Sequence, residues 1–277
     1  MSRYLACGRF RLDLARPRIM GVVNVTPDSF SDGGQFDTTD KAVAHALRLI
    51  DEGADILDIG GESSRPGAQS VSVEEELQRV LPVVQALRDA AVPVAVDTVK
   101  PEVMRAAIAA GAAMINDIRA LQEPGALEAV AASDAAICLM HMQGEPRSMQ
   151  AAPRYENVVN EVKAFLWDRA TAATAAGLVK ERIVIDPGFG FGKTAEHNLE
   201  LLRNLRAMTE LGYPVLAGLS RKSTLGLITG RPANERMPAS IAAALLAVQR
   251  GASIVRVHDV AATKDALAVL NALTAKS

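Results

Sequence analysis

The sequence predicts an α/β fold, a single (β/α)8 TIM barrel that forms one domain over residues 1–277. Three observations predict it: eight short runs rich in Val and Ile, an amphipathic segment after each run, and no hairpin turn signals between them. Apolar strands separated by helices are typical of parallel strands that are buried on both faces. A doubly wound sheet usually has fewer strands and a GxGxxG turn after the first, so the closed barrel is favoured.

The predicted elements follow in chain order, with one helix expected after each strand. Before the first strand, the alternating stretch YLACGRFRLDL within residues 1–17 is expected to form a short hairpin that closes the barrel bottom. Two polar segments, 26–39 and 61–72, exceed the usual length of a βα loop and are therefore expected to be functional loops. The predicted strands are 19–25, 55–60, 93–98, 113–118, 136–142, 182–188, 214–220 and 253–259.

Composition and charge exclude several classes of function. The formal net charge is −2 and no basic block occurs, which disfavours binding to nucleic acids or anionic membranes and leaves a small molecule as the expected partner. Arg or Asp interrupts each apolar stretch of the amino terminus, so no signal peptide or membrane span is expected and the protein is predicted to be cytoplasmic. Cys7 and Cys138 lie outside any CxxC or Cys/His cluster, which predicts reduced structural thiols.

Polar residues collect at the carboxyl ends of the predicted strands, where barrels of this kind carry their active sites. Any one of them could simply cap the following helix, and capping remains the favoured interpretation for Asp117 and Asp259. Because all eight strand ends are polar, an active site is the better explanation for the set. Its members are Asn24, Glu62, Ser63, Ser64, Arg65, Asp97, Asn116, Asp117, His141, Asp186, Ser220, Arg221, Lys222, Arg256, His258 and Asp259.

Four of these residues suit a flat heterocycle. Two carboxylates, an amide and a lysine in a narrow cavity can pair with adjacent donors and acceptors on a ring, and buried polar groups need such partners. The four are Asp97, Asn116, Asp186 and Lys222.

Strand eight is predicted to carry a phosphate site. Arg256 and His258 alternate with the apolar Val257, so both side chains can point toward the barrel mouth, where the chain enters a helix whose amides favour anions. The Gly-rich segment 186–193 reads DPGFGFGK, which matches neither GxxxxGK[ST] nor GxGxxG. An NTPase or dinucleotide site is therefore rejected, and Phe191 is expected to supply an apolar wall.

At these positions the sequence closely resembles the bacterial dihydropteroate synthase family, and the resemblance spans nearly the whole chain. It implies a transferase of folate biosynthesis that joins 6-hydroxymethyl-7,8-dihydropterin diphosphate to 4-aminobenzoate, giving 7,8-dihydropteroate and diphosphate. It also implies a Mg2+ cofactor, a homodimer and competition by sulfonamides. The motifs that carry it are MGVVNVTPDSFSDGG, DIGGESSRPGA, VAVDT, MINDI, LMHMQG, IDPGFGFGK, GLSRKS and RVHD.

The resemblance also implies roles for individual residues, with substitution at the pterin methylene carbon and no protein nucleophile. Asn24 would bind Mg2+ together with the diphosphate, and Ser64 stands where the family commonly has Thr. The residues implied for the pterin are Asp97, Asn116, Asp186 and Lys222; for the diphosphate, Arg65, Arg256 and His258; for the aminobenzoate pocket, Phe30, Ser64, Pro66, Phe191, Lys222 and Ser223. The residues implied for catalysis are Asp97, Asp186, Lys222, Arg256 and His258.

Two alternatives remain open at this point. A pterin-binding methyltransferase barrel would share the carboxylates and the amide, although SRKS, RVHD and the two long loops argue against it. A catalytically silent paralogue would bind the pterin without making product, and the intact loop motifs argue against that alternative.

Overall fold

The computed structural model describes residues 3–26, 35–63 and 67–274. The chain begins with an antiparallel hairpin of β1 (Tyr4–Cys7) and β2 (Phe10–Asp13). Eight parallel barrel strands follow: β3 (Arg18–Asn24), β4 (Ile56–Gly60), β5 (Val94–Asp97), β6 (Met114–Asp117), β7 (Ala136–Met140), β8 (Ile183–Asp186), β9 (Leu216–Ala217) and β10 (Ile254–Val257).

The barrel strands are hydrogen-bonded in the order β8-β7-β6-β5-β4-β3-β10-β9. The two ends of this sheet meet through a parallel bridge between Ile185 and Val215, and the Ile185 amide donates to the Pro214 carbonyl at 3.0 Å. The closed barrel predicted from the sequence is therefore confirmed.

Ten helices surround the described part of the barrel, so the expectation of eight was wrong. The segments after β8 and β9 each contain two helices, and α8 ends at Gly230 with a left-handed φ of 70°, two residues before Pro232, which cannot continue a helix. The helices are α1 (Gln35–Glu52), α2 (Val73–Ala86), α3 (Pro101–Ala110), α4 (Ala126–Ala131), α5 (Val158–Ala175), α6 (Ala195–Arg203), α7 (Arg206–Thr209), α8 (Ser223–Thr229), α9 (Met237–Gln249) and α10 (Val260–Thr274).

Two predicted boundaries also differ from the structure. The seventh barrel strand, expected over 214–220, is limited to the two residues of β9, because Pro214 has no N–H to donate to a neighbouring strand. Residues 35–39 were expected to belong to a loop but form the first turns of α1. Their polar sequence suggested a loop, yet a helix on the surface of a barrel carries polar residues as well.

Side chains alternate strictly between the inside and the outside of the barrel. The outward residues, such as Leu57, Ile115 and Val255, pack against the helices in one large apolar cluster. The inward residues of the lower half form a second cluster, made of Met20, Ile56, Ala95, Met114, Ala136, Cys138, Val184, Leu216 and Ile254. Every second side chain of a strand points inward. The next inward position on each strand therefore lies two residues beyond this cluster, toward the carboxyl end.

The hairpin closes the lower end of the barrel. Leu5 and Cys7 are fully buried and pack into the inward cluster, and the Gly8 amide donates to the Asp134 carbonyl at 2.9 Å. The predicted hairpin is confirmed. Cys7 and Cys138 are free and buried, and burial raises the pKa of Cys7 to about 12, so both are thiols as the sequence indicated.

Among the described helices, none has the length and the apolar character needed to cross a membrane.

Candidate active site

The inward positions become polar directly above the apolar floor of the barrel. On β5 the inward residue after Ala95 is Asp97, and on β8 the inward residue after Val184 is Asp186. The same step of two residues gives Asp58 on β4, Asn116 on β6 and Arg256 on β10. Five strands thus direct carboxylates and hydrogen-bond donors into the barrel above the apolar floor, toward the mouth.

Arg256 joins three of these strands. Its Nε donates to Asp58 Oδ2 at 2.6 Å and one Nη donates to Asp97 Oδ2 at 3.3 Å. Asn116 Nδ2 also donates to Asp58 Oδ2, at 3.1 Å. Asp58 is fully buried; its Oδ2 is compensated by this guanidinium and amide, and its Oδ1 has no hydrogen-bond partner among the described residues.

The two carboxylates proposed from the sequence for a heterocycle are both hard to ionise. Burial, together with the neighbouring Asp58 charge and against the attraction of Arg256, raises the pKa of Asp97 to about 7. Burial also raises the pKa of Asp186, although Lys222 and the Gly188 amide favour its ionised form. The Gly188 N–H donates to Asp186 Oδ1 at 2.7 Å, which fixes the orientation of that carboxyl group.

Lys222 reaches into the same space from the loop after β9. Its Nζ donates to the Phe189 carbonyl and lies 4.7 Å from the centre of the Phe191 ring. A Cβ on Gly218 would lie 3.8 Å from both Lys222 Nζ and Arg256 Cβ, so the two cationic side chains approach the same point of the mouth. Burial lowers the pKa of Lys222 to about 8, with Asp186 acting in the opposite direction.

The backbone before Lys222 is held in an unusual conformation. Arg221 has a left-handed φ of 59°, which a residue with a side chain rarely adopts. Its amide donates to Ser240 Oγ at 2.9 Å and its carbonyl accepts from Arg236 at 3.0 Å. These bonds stabilise the turn, which directs Lys222 toward the mouth and leaves Ser223 exposed as the first residue of α8.

The Gly-rich loop after β8 packs directly on the loop after β7. A Cβ on Gly188 would lie 1.9 Å from the His141 carbonyl oxygen, and one on Gly192 would lie 2.2 Å from the Gln143 carbonyl oxygen. Both glycines also have positive φ, so the structure requires glycine at each position. Phe191, expected to be an apolar wall, is carried half-buried on this loop.

Lys193 stabilises this contact from inside. Its buried ammonium donates to the carbonyls of Gly188 and Phe191, each at 3.0 Å, and to His141 Nδ1 at 2.9 Å. Burial, with the Lys193 charge, lowers the pKa of His141 to about 3, so its ring is neutral and accepts this bond. Burial lowers the pKa of Lys193 itself to about 7. His141, which the sequence places among the polar strand ends, thus helps to position the Gly-rich loop after β8.

A second part of the mouth contains His258 and Asn24. His258 Nδ1 and Ser220 Oγ are 3.0 Å apart, and both Asn24 and His258 line a cavity of about 760 Å3. The cavity is also lined by residues 260–262 at the amino end of α10, by Lys41, His45, Arg48 and Arg221, and by the acidic residues Glu52 and Asp259. A Cβ on Gly60 would lie 3.9 Å from Asn24 Oδ1 and 3.8 Å from Asp97 Cβ, so Asn24 lies between the two parts.

The two residues interpreted as caps behave differently. Asp117 accepts the Arg119 and Leu121 amides at 2.7 and 2.8 Å, so it caps the turn after β6 rather than a helix. The Asp259 carboxylate instead binds the Arg221 guanidinium, with contacts of 2.5 and 3.2 Å.

The structure therefore brings Asp97, Asn116, Asp186, Lys222 and Arg256 together, and places Asn24 and His258 beside them. Arg256 binds two carboxylates and His258 faces the cavity, and the assignment of both residues to the diphosphate stays a prediction. Four sequence candidates lie outside the described residues: Phe30, Ser64, Arg65 and Pro66.

Two residues of this region were missed from the sequence. Asp58 lies inside its strand, so the pattern of polar strand ends does not include it, although a charge at the third position of the apolar run ILDIG is itself a signal. Lys193 stands in the sequence only as the last residue of a Gly-rich motif.

In the described part of the chain, no group of three His, Cys, Asp or Glu residues is arranged to hold a metal ion.

Comparison with known proteins defines the class. A family model described as pterin binding enzyme matches residues 20–258. Dihydropteroate synthase from Haemophilus influenzae is 55% identical over 262 residues, covering 94% of this chain and 95% of that protein.

Solved structures agree with this class. Dihydropteroate synthase from Xanthomonas albilineans with 4-aminobenzoic acid is 58% identical, covers 100% of both chains and superposes with a TM-score of 0.94. The Burkholderia cenocepacia enzyme complexed with 7,8-dihydropteroate is 52% identical, with 98% and 96% coverage and a TM-score of 0.89. The chain belongs to the dihydropteroate synthases, a family of transferases within the pterin-binding enzymes.

We expect Lys193→Met to destabilise the protein, because three loop carbonyls and His141 lose their shared donor. Leaving such buried acceptors unpaired should lower the free energy of unfolding by about 1–3 kcal/mol. Thermal and urea unfolding measure this change. Lys163→Met, which removes a partly exposed ion pair with Glu210, is the control and should change it by less than about 0.5 kcal/mol. Equal effects of both variants would contradict the role of Lys193.

Proposed function

We propose that this chain is a single-domain cytoplasmic enzyme that condenses 6-hydroxymethyl-7,8-dihydropterin diphosphate with 4-aminobenzoate and releases diphosphate. The observation that carries the proposal is the convergence of Asp97, Asn116, Asp186 and Lys222 above a closed apolar floor. The relatives bound to 4-aminobenzoic acid and to 7,8-dihydropteroate support the same substrates. The cytoplasmic location is supported by two buried free cysteines, which are typical of a reducing compartment.

The pterin ring would occupy the part of the mouth above the floor. Asp97 and Asp186 would accept ring N–H groups, and Asn116 would add an amide contact. Lys222 would donate to a ring acceptor and, with Phe191, form a wall that excludes water. The carboxylates of Asp97 and Asp186 would also stabilise the ring as it becomes electron-poor during the reaction.

The diphosphate would lie toward the cavity that contains His258. The amino end of α10 and basic side chains face that cavity and favour an anion, and the acidic residues Glu52 and Asp259 that also line it are paired with Arg48 and Arg221. Arg256 would extend from the pterin to the diphosphate, because its bonds to Asp58 and Asp97 use two of the five guanidinium N–H groups. Arg65 is proposed as a further diphosphate contact.

The residues present fit a Mg2+ ion that binds together with the diphosphate. Asn24 offers an amide oxygen beside the cavity, and Mg2+ is commonly held by one or two protein oxygens and the substrate phosphates. When bound, the ion would supply positive charge to the leaving diphosphate. The chain's own part is to orient the methylene carbon, so that its bond to the diphosphate oxygen breaks and the bond to the amine nitrogen forms.

The aminobenzoate would lie at the outer edge of the pterin. Phe191 and Lys222 reach this edge, Ser223 is exposed beside it, and Phe30, Ser64 and Pro66 are proposed to complete the pocket. The aromatic amine needs only to be positioned, since the proposed substitution uses no protein nucleophile.

The decisive experiment incubates purified protein with the pterin diphosphate, 4-aminobenzoate and Mg2+. We expect 7,8-dihydropteroate and diphosphate in equal amounts, and loss of both when the metal is chelated. Product absence under conditions where a known synthase works would refute the proposal in favour of a silent paralogue, whereas methyl transfer from methyltetrahydrofolate would favour the methyltransferase alternative.

The same assay should include Asp186→Asn. The Asn oxygen can still accept from Gly188, so the amide NH2 would face the ring and place a donor against a donor. This mismatch should weaken pterin binding by about 1–3 kcal/mol. Unchanged affinity in a folded variant would remove Asp186 from the site.

Pterin binding should weaken below neutral pH, because only ionised Asp97 accepts from the ring on both oxygens. Its pKa of about 7 in the free protein means that the ionised fraction, and therefore the affinity, falls by about tenfold per pH unit below 7. Calorimetry between pH 5.5 and 8 measures this. The Asp97→Asn variant should bind more weakly at pH 8 and lose this pH dependence, and an identical profile in the variant would assign the effect to another group.

We further propose that the enzyme is a homodimer formed through α8, α9 and α10. These neighbouring helices expose large apolar side chains: Leu227, Ile228, Leu246, Val269 and Leu273. An apolar surface of this kind is typical of a subunit interface.

Light scattering should therefore give a mass near twice the 29.3 kDa of one chain. The double variant Leu246→Glu/Val269→Glu should run as a monomer, because the buried charges would oppose association. Trp167→Glu, an equally exposed position on α5, is the control and should remain dimeric. A monomeric wild-type protein would rule out the dimer.

A further inference from the structure

Asp58 is a buried carboxylate beneath the proposed pterin site. It lies on the inward face of β4, is fully buried, and accepts both Arg256 Nε and Asn116 Nδ2 on a single oxygen, Oδ2. Asp58 lies two residues before Gly60 on the inward face of β4, and Gly60 is the register partner of Asp97 on β5. The other oxygen of Asp58, Oδ1, is buried without a hydrogen-bond partner among the described residues, and its contacts with Asn116 and Arg256 are the route by which Asp58 can act on a ligand.

The Asn116 side chain receives its orientation from this contact. Asp58 Oδ2 already accepts from Arg256 Nε, so the amide turns its NH2 toward this oxygen and its own oxygen away. Asn116 Oδ1 is then buried, and within the described residues it has no hydrogen-bond partner. A buried acceptor without a partner is costly, and a ligand that offers an N–H at this point removes the cost.

We infer that Asp58 is a positioning residue for pterin binding, which fixes the Asn116 amide with its oxygen toward the ligand and holds Arg256 against Asp97. The inference rests on the proposed function, in which Asn116 contacts the pterin. It also gives a rule of specificity: the site selects a ring with an N–H donor at the position facing Asn116, and it rejects a ring that has an acceptor there.

The test measures binding of 6-hydroxymethyl-7,8-dihydropterin, without diphosphate, to the full-length chain by calorimetry. In Asp58→Asn two amides face each other, and the Asn116 oxygen can rotate to accept from the new NH2. The ligand would then meet a donor instead of an acceptor. We expect the dissociation constant to rise by about tenfold or more.

A double variant tests the direction of the hydrogen bond. In Asp58→Asn/Asn116→Asp the new amide donates to the new carboxylate, whose second oxygen again faces the ligand, and the total charge is unchanged. We expect the double variant to bind the pterin more tightly than either Asp58→Asn or Asn116→Asp alone. If Asp58 only stabilised the fold, the double variant would not be expected to regain affinity for the pterin.

Asp55→Asn is the matched control. Asp55 lies just before β4 at the opposite end of the barrel, where its carboxylate binds Arg18 at 2.7 Å and Arg16 at 2.9 Å. This variant also breaks a pair between carboxylate and guanidinium, so its melting temperature should fall while its affinity for the pterin stays unchanged.

The outcomes separate the inference from the proposed function. Unchanged affinity in Asp58→Asn, an equal loss in Asp55→Asn, or a double variant that binds no better than the single variants would overturn the role of Asp58. Absence of pterin binding by the wild-type protein would instead refute the proposed function. If Asp58→Asn does not fold, the comparison of Asn116→Asp with the double variant decides.

Discussion

The Arg256 guanidinium, shared between Asp58 and Asp97, is the interaction on which the mouth of this barrel depends. Two carboxylates on adjacent strands would repel each other in a space from which water is largely excluded, and the guanidinium that contacts both offsets this repulsion. Asn116 adds a neutral donor to the same oxygen of Asp58. One cation therefore organises side chains from β4, β5, β6 and β10, and the raised pKa of Asp97 shows that the compensation is only partial.

This arrangement is favoured because, among the described residues, the inward cluster of the lower barrel offers Arg256 no competing polar side chain. The inward residues there are apolar, and the hairpin with Leu5 and Cys7 closes the open end beneath them. Water cannot reach the polar layer from below. The electrostatic interactions of the upper layer are consequently stronger than at a solvated surface, and the pKa shifts of Asp97 and Lys222 follow from the same desolvation.

The loops above the barrel are shaped by backbone contacts more than by side-chain packing. Gly188 and Gly192 allow the loop after β8 to lie on the carbonyls of the loop after β7. Lys193 then binds the two loops with several carbonyl contacts from a buried ammonium. The Phe189 carbonyl and the Phe191 ring are thereby placed against Lys222. Lys193 therefore determines the surroundings of Lys222, the lysine that faces the mouth.

The barrel, the hairpin beneath it, the polar strand ends and the family can all be predicted from the sequence. These features depend on local periodicity and on motifs that are contiguous in the chain, such as the two-residue alternation of IVRV in β10. The folded chain was needed to show that Arg256 binds Asp58 and Asp97, that His258 faces a cavity beside them, and that Lys193 lies between two loops. Arg256 is 198 residues from Asp58 and 159 residues from Asp97. No local pattern encodes such a pair, because the two side chains meet only when the barrel closes and brings β10 beside the first strands.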